Sequence, residues 1–78
     1  MKWTEENGLL TREFEFGDFI SALHFVNEVG SLAEEAKHHP DVLLHQYRKV
    51  KIMLKSHDAD AITDRDHRLA RAIDALTD

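Results

Sequence analysis

Three histidines in this sequence have positions that could support acid–base chemistry. His38 and His39 are adjacent and are followed by Pro40, and His57 comes later in the chain. Imidazole has an unperturbed pKa of about 6.5, so a positioned histidine can donate or accept a proton near neutral pH. A reaction that needs one proton delivered and another removed could therefore use two of these rings.

The local sequence predicts how the adjacent rings are aimed. Glu34 precedes His38 by four residues, so the two side chains would share one helix face. His38 is expected in the last helical turn, where the helix dipole favours a cation. Pro40 disfavours helical backbone at the preceding residue, so we expect His39 to be extended and to point elsewhere.

Two other interpretations of the histidines stay open. They could be ordinary surface or helix-end side chains. They could also bind zinc together with Asp58, but adjacent histidines diverge at a helix end, and no two histidines lie four apart on one helix. We therefore predict no metal and no cofactor.

The first half of the chain predicts two strands and a long helix. A short strand at residues 3–5 is followed by Asn7 and Gly8, a turn signal, and by a strand at residues 10–16. Asp18 is the predicted N-cap of a helix that continues to about His38. The predicted buried stripe of this helix consists of Phe19, Leu23, Val26, Val29 and Ala33.

The second half predicts a hairpin and a final helix. Residues 42–56 have strand character, with a turn near Arg48 and Lys49 and Tyr47 packed within a strand. Residues 58–61 are a predicted loop. Thr63 is the predicted N-cap of the last helix, and Asp66 is its capping-box partner. The apolar stripe of this helix consists of Leu69, Ile73 and Leu76.

These elements predict an α+β fold of order β-β-α-β-β-α, a four-stranded antiparallel sheet with helices packed on one face. The 78 residues are enough for a single domain, residues 1–78. A domain of this size has a marginal core, so self-association is expected to contribute stability.

Composition narrows the classes of partner. The net charge of −5 argues against nucleic acid as a partner. No apolar run approaches the roughly 20 residues that span a bilayer, and the first residues lack a signal-peptide core. The chain has no cysteine, so disulfides are excluded and a cytoplasmic location is expected.

The spacing of the histidines resembles the signature of the pterin-4a-carbinolamine dehydratase family. The matching residues are, in order, Glu34-x-x-x-His38-His39-Pro40, Tyr47, His57 and Asp66. Upstream, the run Phe14-x-Phe16-x-Asp18-Phe19 and the position of Trp3 are also similar to the family. The resemblance therefore covers nearly the whole chain.

The resemblance implies an activity and a set of roles. The family dehydrates 4a-hydroxytetrahydrobiopterin to quinonoid dihydrobiopterin, which recycles tetrahydrobiopterin, and it forms dimers or tetramers. By this likeness His38 and His57 would be the acid–base pair, and His39 would help to bind the pterin. Glu34 would orient His38, and Trp3 and the backbone around Ser56 would line the pterin pocket.

Some positions depart from the family pattern. Lys37 stands where the family often has an acidic residue, and Val42 and Leu43 lie where it often has a tryptophan. The alternative function is a non-enzymatic dimerisation or binding module, similar to the transcriptional cofactor role of some family members. That role would depend on exposed apolar helix surface and not on the histidines. From the residues alone, Asp66 is expected to be structural.

Overall fold

Six elements follow one another in the order that the sequence predicts. The computed structural model describes residues 2–78. The elements are β1 (Thr4–Glu6), β2 (Leu9–Glu15), α1 (Phe19–Ala36), β3 (Asp41–His45), β4 (Lys49–Leu54) and α2 (Asp64–Asp74). All strand pairs are antiparallel, and the strand order in the sheet is β1-β2-β4-β3. The predicted α+β class and element order are confirmed.

Two tight hairpins set the register of the sheet. Asn7 and Gly8 both have positive φ and join β1 to β2, as predicted. The second turn lies at Gln46 and Tyr47, which also have positive φ, and so it begins before the predicted position at Arg48. Tyr47 is 62% exposed in this turn, so the prediction that it packs within a strand is wrong.

Helix α1 begins as predicted but ends earlier. The Asp18 side chain accepts a hydrogen bond from the Ser21 N–H at 2.7 Å, which caps the first turn. At the other end Lys37 adopts the left-handed conformation with φ of 53°, and the helix stops at Ala36. His38 therefore lies outside the helix and not in its last turn, which corrects the prediction.

The buried face of α1 is rotated from the predicted stripe. Its buried residues are Ala22, Phe25, Val29 and Ala33, whereas Phe19 is 46% exposed. The Phe25 ring lies 4.6 Å from Phe14 and 5.0 Å from Phe16, measured between centroids. Phe25 packs against one ring on β2 and one directly after it, and in this orientation of the helix Phe19 faces outward.

One apolar core lies between the sheet and both helices. The alternation of Val50, Ile52 and Leu54 on β4 is confirmed, since all three are buried. Leu69 and Ile73 on α2 are buried, and Leu76, which follows α2, is partly buried against the same cluster. Among residues 2–78, neither helix has the length and apolar character to cross a membrane.

The C-terminal end of α2 is held to β2 by polar contacts. The Arg12 guanidinium binds the Asp74 carboxylate and lies 3.2 Å from Asp78 Oδ2. It also lies 4.1 Å above the Phe14 ring. The indole N–H of Trp3 donates to Asp74 Oδ1 at 2.8 Å. We call this group of contacts the C-terminal anchor.

Candidate functional site

The double histidine lies directly after α1, and its two rings have different environments. His38 is 8% exposed, and its Nε2 lies 2.5 Å from Oδ1 of Asp66. His39 is exposed and binds the Glu34 carboxylate through Nε2. The structure thus pairs Glu34 with His39, and the prediction that Glu34 orients His38 is wrong. The early end of the helix explains the change, because it removes His38 from the helical face that carries Glu34.

Asp66 is the buried centre of this corner. It is fully buried, yet its carboxylate accepts the Thr63 N–H at 2.8 Å and the Ser56 hydroxyl at 2.9 Å, both at Oδ2. The Thr63 contact confirms the predicted capping box. The contact with His38 at Oδ1 was not predicted from the residues.

Hydrogen bonds decide the charge state of Asp66. Burial alone would raise the pKa of this carboxyl group, because burial disfavours the charged form. The hydrogen bonds from His38, the Thr63 N–H and Ser56 outweigh burial and hold the pKa of Asp66 below its usual value. Asp66 is therefore an ionised carboxylate near neutral pH.

The charge on Asp66 fixes a proton on His38. An ionised carboxylate can only accept hydrogen bonds. The His38 nitrogen that faces it, Nε2, must therefore carry the proton and donate it. This nitrogen is committed to Asp66, and the ring of His38 is held in one orientation.

His57 follows Ser56 in the loop that links β4 to α2. The Ser56 N–H donates to the Ala61 carbonyl at 3.0 Å, which closes the loop. Two ion pairs hold the loop further, one between Lys55 and Asp60 at 2.5 Å and one between Arg65 and Asp58. His57 is exposed on this closed loop.

The Asp66 carboxylate joins the segment that carries His38 and His39 to the loop that carries His57. One of its oxygens contacts His38, which precedes the exposed His39. The other oxygen contacts Ser56, which precedes the exposed His57. His39 and His57 are thus two exposed imidazoles that each follow directly after a residue bound to Asp66, and His38 is buried.

Two surface depressions lie beside this corner. A groove of about 430 Å³ between α1 and α2 is lined by His38 together with Leu32, Glu35, Ala36, Arg65, Arg68, Leu69 and Ala72. A depression of about 510 Å³ beside the His57 loop is lined by Glu5, Gly8, Lys55, Asp60, Ala61 and Ile62. Neither His39 nor His57, both exposed, is among the residues that line these two depressions.

Trp3 lies apart from the histidine corner. It is buried, contacts Phe14 edge-on and donates to Asp74 at the C-terminal end of α2. Asp66 is near the N-terminal end of the same helix, eight residues earlier, which corresponds to about 12 Å along the axis. The structure therefore does not bring Trp3 next to the histidines.

Part of the supporting network is not predicted by the sequence. The sequence predicts Asp66 as a helix cap, and the resemblance assigns Ser56 a role only through its backbone. The available signal was the match of Asp66 to the family signature. Within residues 2–78, no cluster of three or more histidine, aspartate or glutamate side chains has the geometry of a metal site.

Comparison with known proteins identifies the family. The family profile described as pterin 4 alpha carbinolamine dehydratase matches residues 1–76. A protein of Thermomicrobium roseum is 43% identical over 74 residues, which cover 95% of this chain and 78% of that protein. One of Metallosphaera sedula is 42% identical, with 95% and 76% covered. Both are named, provisionally, as pterin-4-alpha-carbinolamine dehydratases.

Solved structures show the same fold. A transcriptional coactivator/pterin dehydratase from Brucella melitensis superposes with a TM-score of 0.91 and 29% identity, covering 99% of this chain and 83% of that one. A pterin dehydratase-like RuBisCO assembly factor of the alpha-carboxysome superposes with a TM-score of 0.81 at 24% identity, covering 97% and 89%, and shows the fold alone. By its profile match and its relatives, this chain belongs to the pterin-4-alpha-carbinolamine dehydratase family.

Proposed function

We propose that this protein dehydrates 4a-hydroxytetrahydrobiopterin to quinonoid dihydrobiopterin by histidine acid–base catalysis, in the recycling of tetrahydrobiopterin. The observation that carries the proposal is that the exposed His39 and His57 each follow directly after a residue, His38 or Ser56, that binds one buried carboxylate. Family membership supports the same reaction class. We propose that the protein acts in the cytoplasm and that the pterin is its substrate.

The reaction needs two proton transfers. The hydroxyl group on C4a leaves as water when an acid protonates its oxygen and the C4a–O bond breaks. The N5 lone pair forms the C4a–N5 double bond, and a base removes the N5 proton. No electrons are exchanged with a cofactor, so two imidazoles in opposite protonation states supply what the step requires.

The environments of the rings favour a revised division of roles. The family resemblance made His38 and His57 the acid–base pair, but His38 is buried and its Nε2 is committed to Asp66. His39 and His57 are both exposed. We assign proton transfer to His39 and His57, and we assign to His38 the positioning of its neighbour His39.

Glu34 supports this assignment of His39. Its carboxylate contacts Nε2 of His39, and because a carboxylate accepts, this contact leaves Nδ1 of the ring free for exchange with the substrate. The contact is exposed on both sides, so its contribution to stability is small. Its proposed use is to hold the ring while the pterin binds.

A stopped-flow assay of carbinolamine breakdown tests the proposal. His39→Ala and His57→Ala should each lower the enzymatic rate by roughly 10²–10⁴-fold, since each removes a positioned acid–base group. His24→Ala is the control, because His24 is an exposed histidine of α1 outside the corner. A wild-type rate equal to that of buffer would refute the activity.

A binding module is the second candidate function. Phe19 and Ile20 expose apolar side chains at the start of α1, with 46% and 61% exposure. The Brucella neighbour is described as a coactivator as well as a dehydratase. Under this alternative, a His39→Ala/His57→Ala variant keeps full partner binding, whereas Ile20→Glu abolishes it.

Self-association into a homodimer or homotetramer is also proposed. Val42 and Leu43 are exposed on β3, which is an edge strand of the sheet. Apolar side chains on an open edge favour pairing with another strand. Sedimentation equilibrium of wild type and Leu43→Lys measures this; a monomeric wild type contradicts it.

A further inference from the structure

We propose that Ser56 is a positioning residue whose buried hydroxyl, acting through Asp66, holds the His57 loop at a fixed distance from the His38–His39 corner. This inference rests on the proposed function, which makes His39 and His57 the proton-transfer pair. Ser56 itself is fully buried, so its side chain does not touch substrate.

The directions of the hydrogen bonds can be assigned without ambiguity. The Asp66 carboxylate only accepts, so the Ser56 hydroxyl must donate its proton to Oδ2 across 2.9 Å. Ser56 Oγ also lies 2.6 Å from Thr63 Oγ1. Because the Ser56 proton is already used, Thr63 must be the donor in that second contact. The order of donation is therefore Thr63 to Ser56 to Asp66.

The same carboxylate holds both histidine segments. Its Oδ1 accepts from His38, and its Oδ2 accepts from Ser56. Each of these two residues is followed directly by an exposed histidine, and consecutive Cα atoms are about 3.8 Å apart. The distance between the two chain segments that carry the exposed rings is thus constrained by two side-chain hydrogen bonds to one carboxylate.

The backbone of Ser56 makes this link rigid on the loop side. Its N–H donates to the Ala61 carbonyl at 3.0 Å, and its carbonyl accepts from Ala59 at 3.2 Å. The loop that carries His57 is closed around Ser56, so a shift of Ser56 moves the whole loop. Within residues 2–78, every buried side-chain nitrogen and oxygen has a hydrogen-bond partner. Such a fully satisfied polar network is expected to be rigid.

Removal of the hydroxyl should loosen the site. Ser56→Ala leaves Asp66 with one donor fewer and leaves the Thr63 hydroxyl without its acceptor. Misplacement of a catalytic group by about 1 Å can cost about 10²-fold in rate. We therefore expect Ser56→Ala to lower kcat/KM by about 10–100-fold, and Ser56→Thr, which keeps the hydroxyl, to recover most of this loss.

The kinetic test compares Ser56→Ala with a matched control. Thr11→Val removes another buried hydroxyl, on β2, without touching the Asp66 network. Both variants are assayed at temperatures at which circular dichroism shows them folded. The proposal expects a rate loss in Ser56→Ala only. Equal losses in the two variants, or no loss in either, would overturn it.

A double variant separates positioning from general destabilisation. If Ser56 acts by placing His57, then Ser56→Ala should change the residual rate of His57→Ala by no more than about 2-fold, because effects within one unit are not additive. A residue that only stabilised the fold would lower both backgrounds by the same factor. A further 10–100-fold loss in the double variant would therefore overturn the inference.

A nuclear magnetic resonance readout does not depend on the activity. The ring signals of His57, assigned by their loss in His57→Ala, should shift in Ser56→Ala and return in Ser56→Thr. Unchanged His57 ring signals in Ser56→Ala would refute the positioning role. A wild type with no dehydratase rate would refute the proposed reaction instead, and the ring signals would still decide the role of Ser56.

Discussion

The two ends of α2 are both anchored by an aspartate, but the anchors differ in burial and in partner. Asp66, in the first turn, is fully buried and contacts His38 and Ser56. Asp74, in the last turn, has a side chain that is 29% exposed and contacts Arg12 and Trp3. We call the contacts of Asp66 with His38, Ser56 and Thr63 the N-terminal anchor.

The difference indicates what each anchor does. Arg12 and Trp3 keep their protons throughout the physiological pH range, so the C-terminal anchor joins helix to sheet in one state. The N-terminal anchor instead buries a carboxylate, which has a desolvation cost. Its partners His38 and Ser56 are each followed in sequence by an exposed histidine. Under the proposed function, the buried charge lies where the proton-transfer groups have to be positioned, whereas a partly exposed ion pair is enough to attach the helix to the sheet.

Removal of the buried charge is expected to have the largest effect. Asp66→Asn replaces an acceptor with an amide whose NH₂ group must face one of the donors of the network. We expect a loss of about 3 kcal/mol in the free energy of unfolding, measured by urea denaturation. The dehydration rate of the folded variant should also fall, by at least about 10-fold.

The matched control for this prediction lies two residues away. Asp64 is an exposed aspartate in the same first turn of α2. Asp64→Asn loses only a favourable interaction with the helix dipole, about 0.3–1 kcal/mol. Equal losses of unfolding free energy in Asp66→Asn and Asp64→Asn would contradict the prediction, because the buried aspartate would then contribute no more than the exposed one.

The pH dependence of the free energy of unfolding provides a second test of the contribution of Asp66. The pKa of Asp66 is lowered in the folded state, so its contribution is fully present above the unfolded value of about 3.9 and is lost as pH falls through the folded value. The difference in stability between wild type and Asp66→Asn should therefore shrink as pH falls from about 5 towards 2. Urea titrations across this range measure it; a difference that grows on acidification contradicts the assignment of charge.

The C-terminal anchor should be the weaker one. Arg12→Ala removes the contacts to Asp74 and Asp78 and the packing over Phe14, for an expected loss of about 2 kcal/mol. Arg12 also holds the pKa of Asp78 down, at about 2, and that effect disappears in the variant. Arg68→Ala, which removes an exposed arginine of α2, is the control for the loss of an arginine without the contacts of the anchor.

The kinetic outcome of Arg12→Ala separates the two anchors further. Because Arg12 lies at the end of α2 remote from the histidines, kcat/KM of the folded variant should stay within about 2-fold of wild type. A rate loss as large as that of Asp66→Asn would mean that both ends of the helix shape the site.

Local sequence signals predicted most of the fold. Caps, turns and strand alternation act over a few residues, so Asn7-Gly8, Asp18 and the capping box at Thr63 and Asp66 could be located directly. The rotation of α1 could not, because it accompanies the packing of Phe25 against Phe14 on β2 and Phe16 directly after it, which are contacts distant in sequence. Helical spacing alone fits several neighbouring stripes.

The sequence predicted the types of residue in the candidate site but not which of their side chains contact each other. The spacing of the histidines predicted which residues form the candidate site, yet the partner of His38 is 28 residues away in sequence. Asp66 already had a local explanation as a capping residue, which hid its second contact. Glu34 was paired with the wrong histidine because one residue in the left-handed conformation, Lys37, ended the helix before His38.

Trp3 provides the smallest and most discriminating test. Trp3→Phe removes the indole donor to Asp74 but keeps an aromatic ring against Phe14. We expect a loss of about 1 kcal/mol in the free energy of unfolding, the value of one hydrogen bond, and no change in KM for the pterin. The family resemblance instead implies that Trp3 lines the pterin pocket, which requires KM to rise. Trp3 belongs to the C-terminal anchor, so a raised KM would mean that the substrate extends along α2 to this anchor. The C-terminal anchor would then take part in substrate binding, and the proposed division into one anchor for attachment and one for chemistry would be wrong.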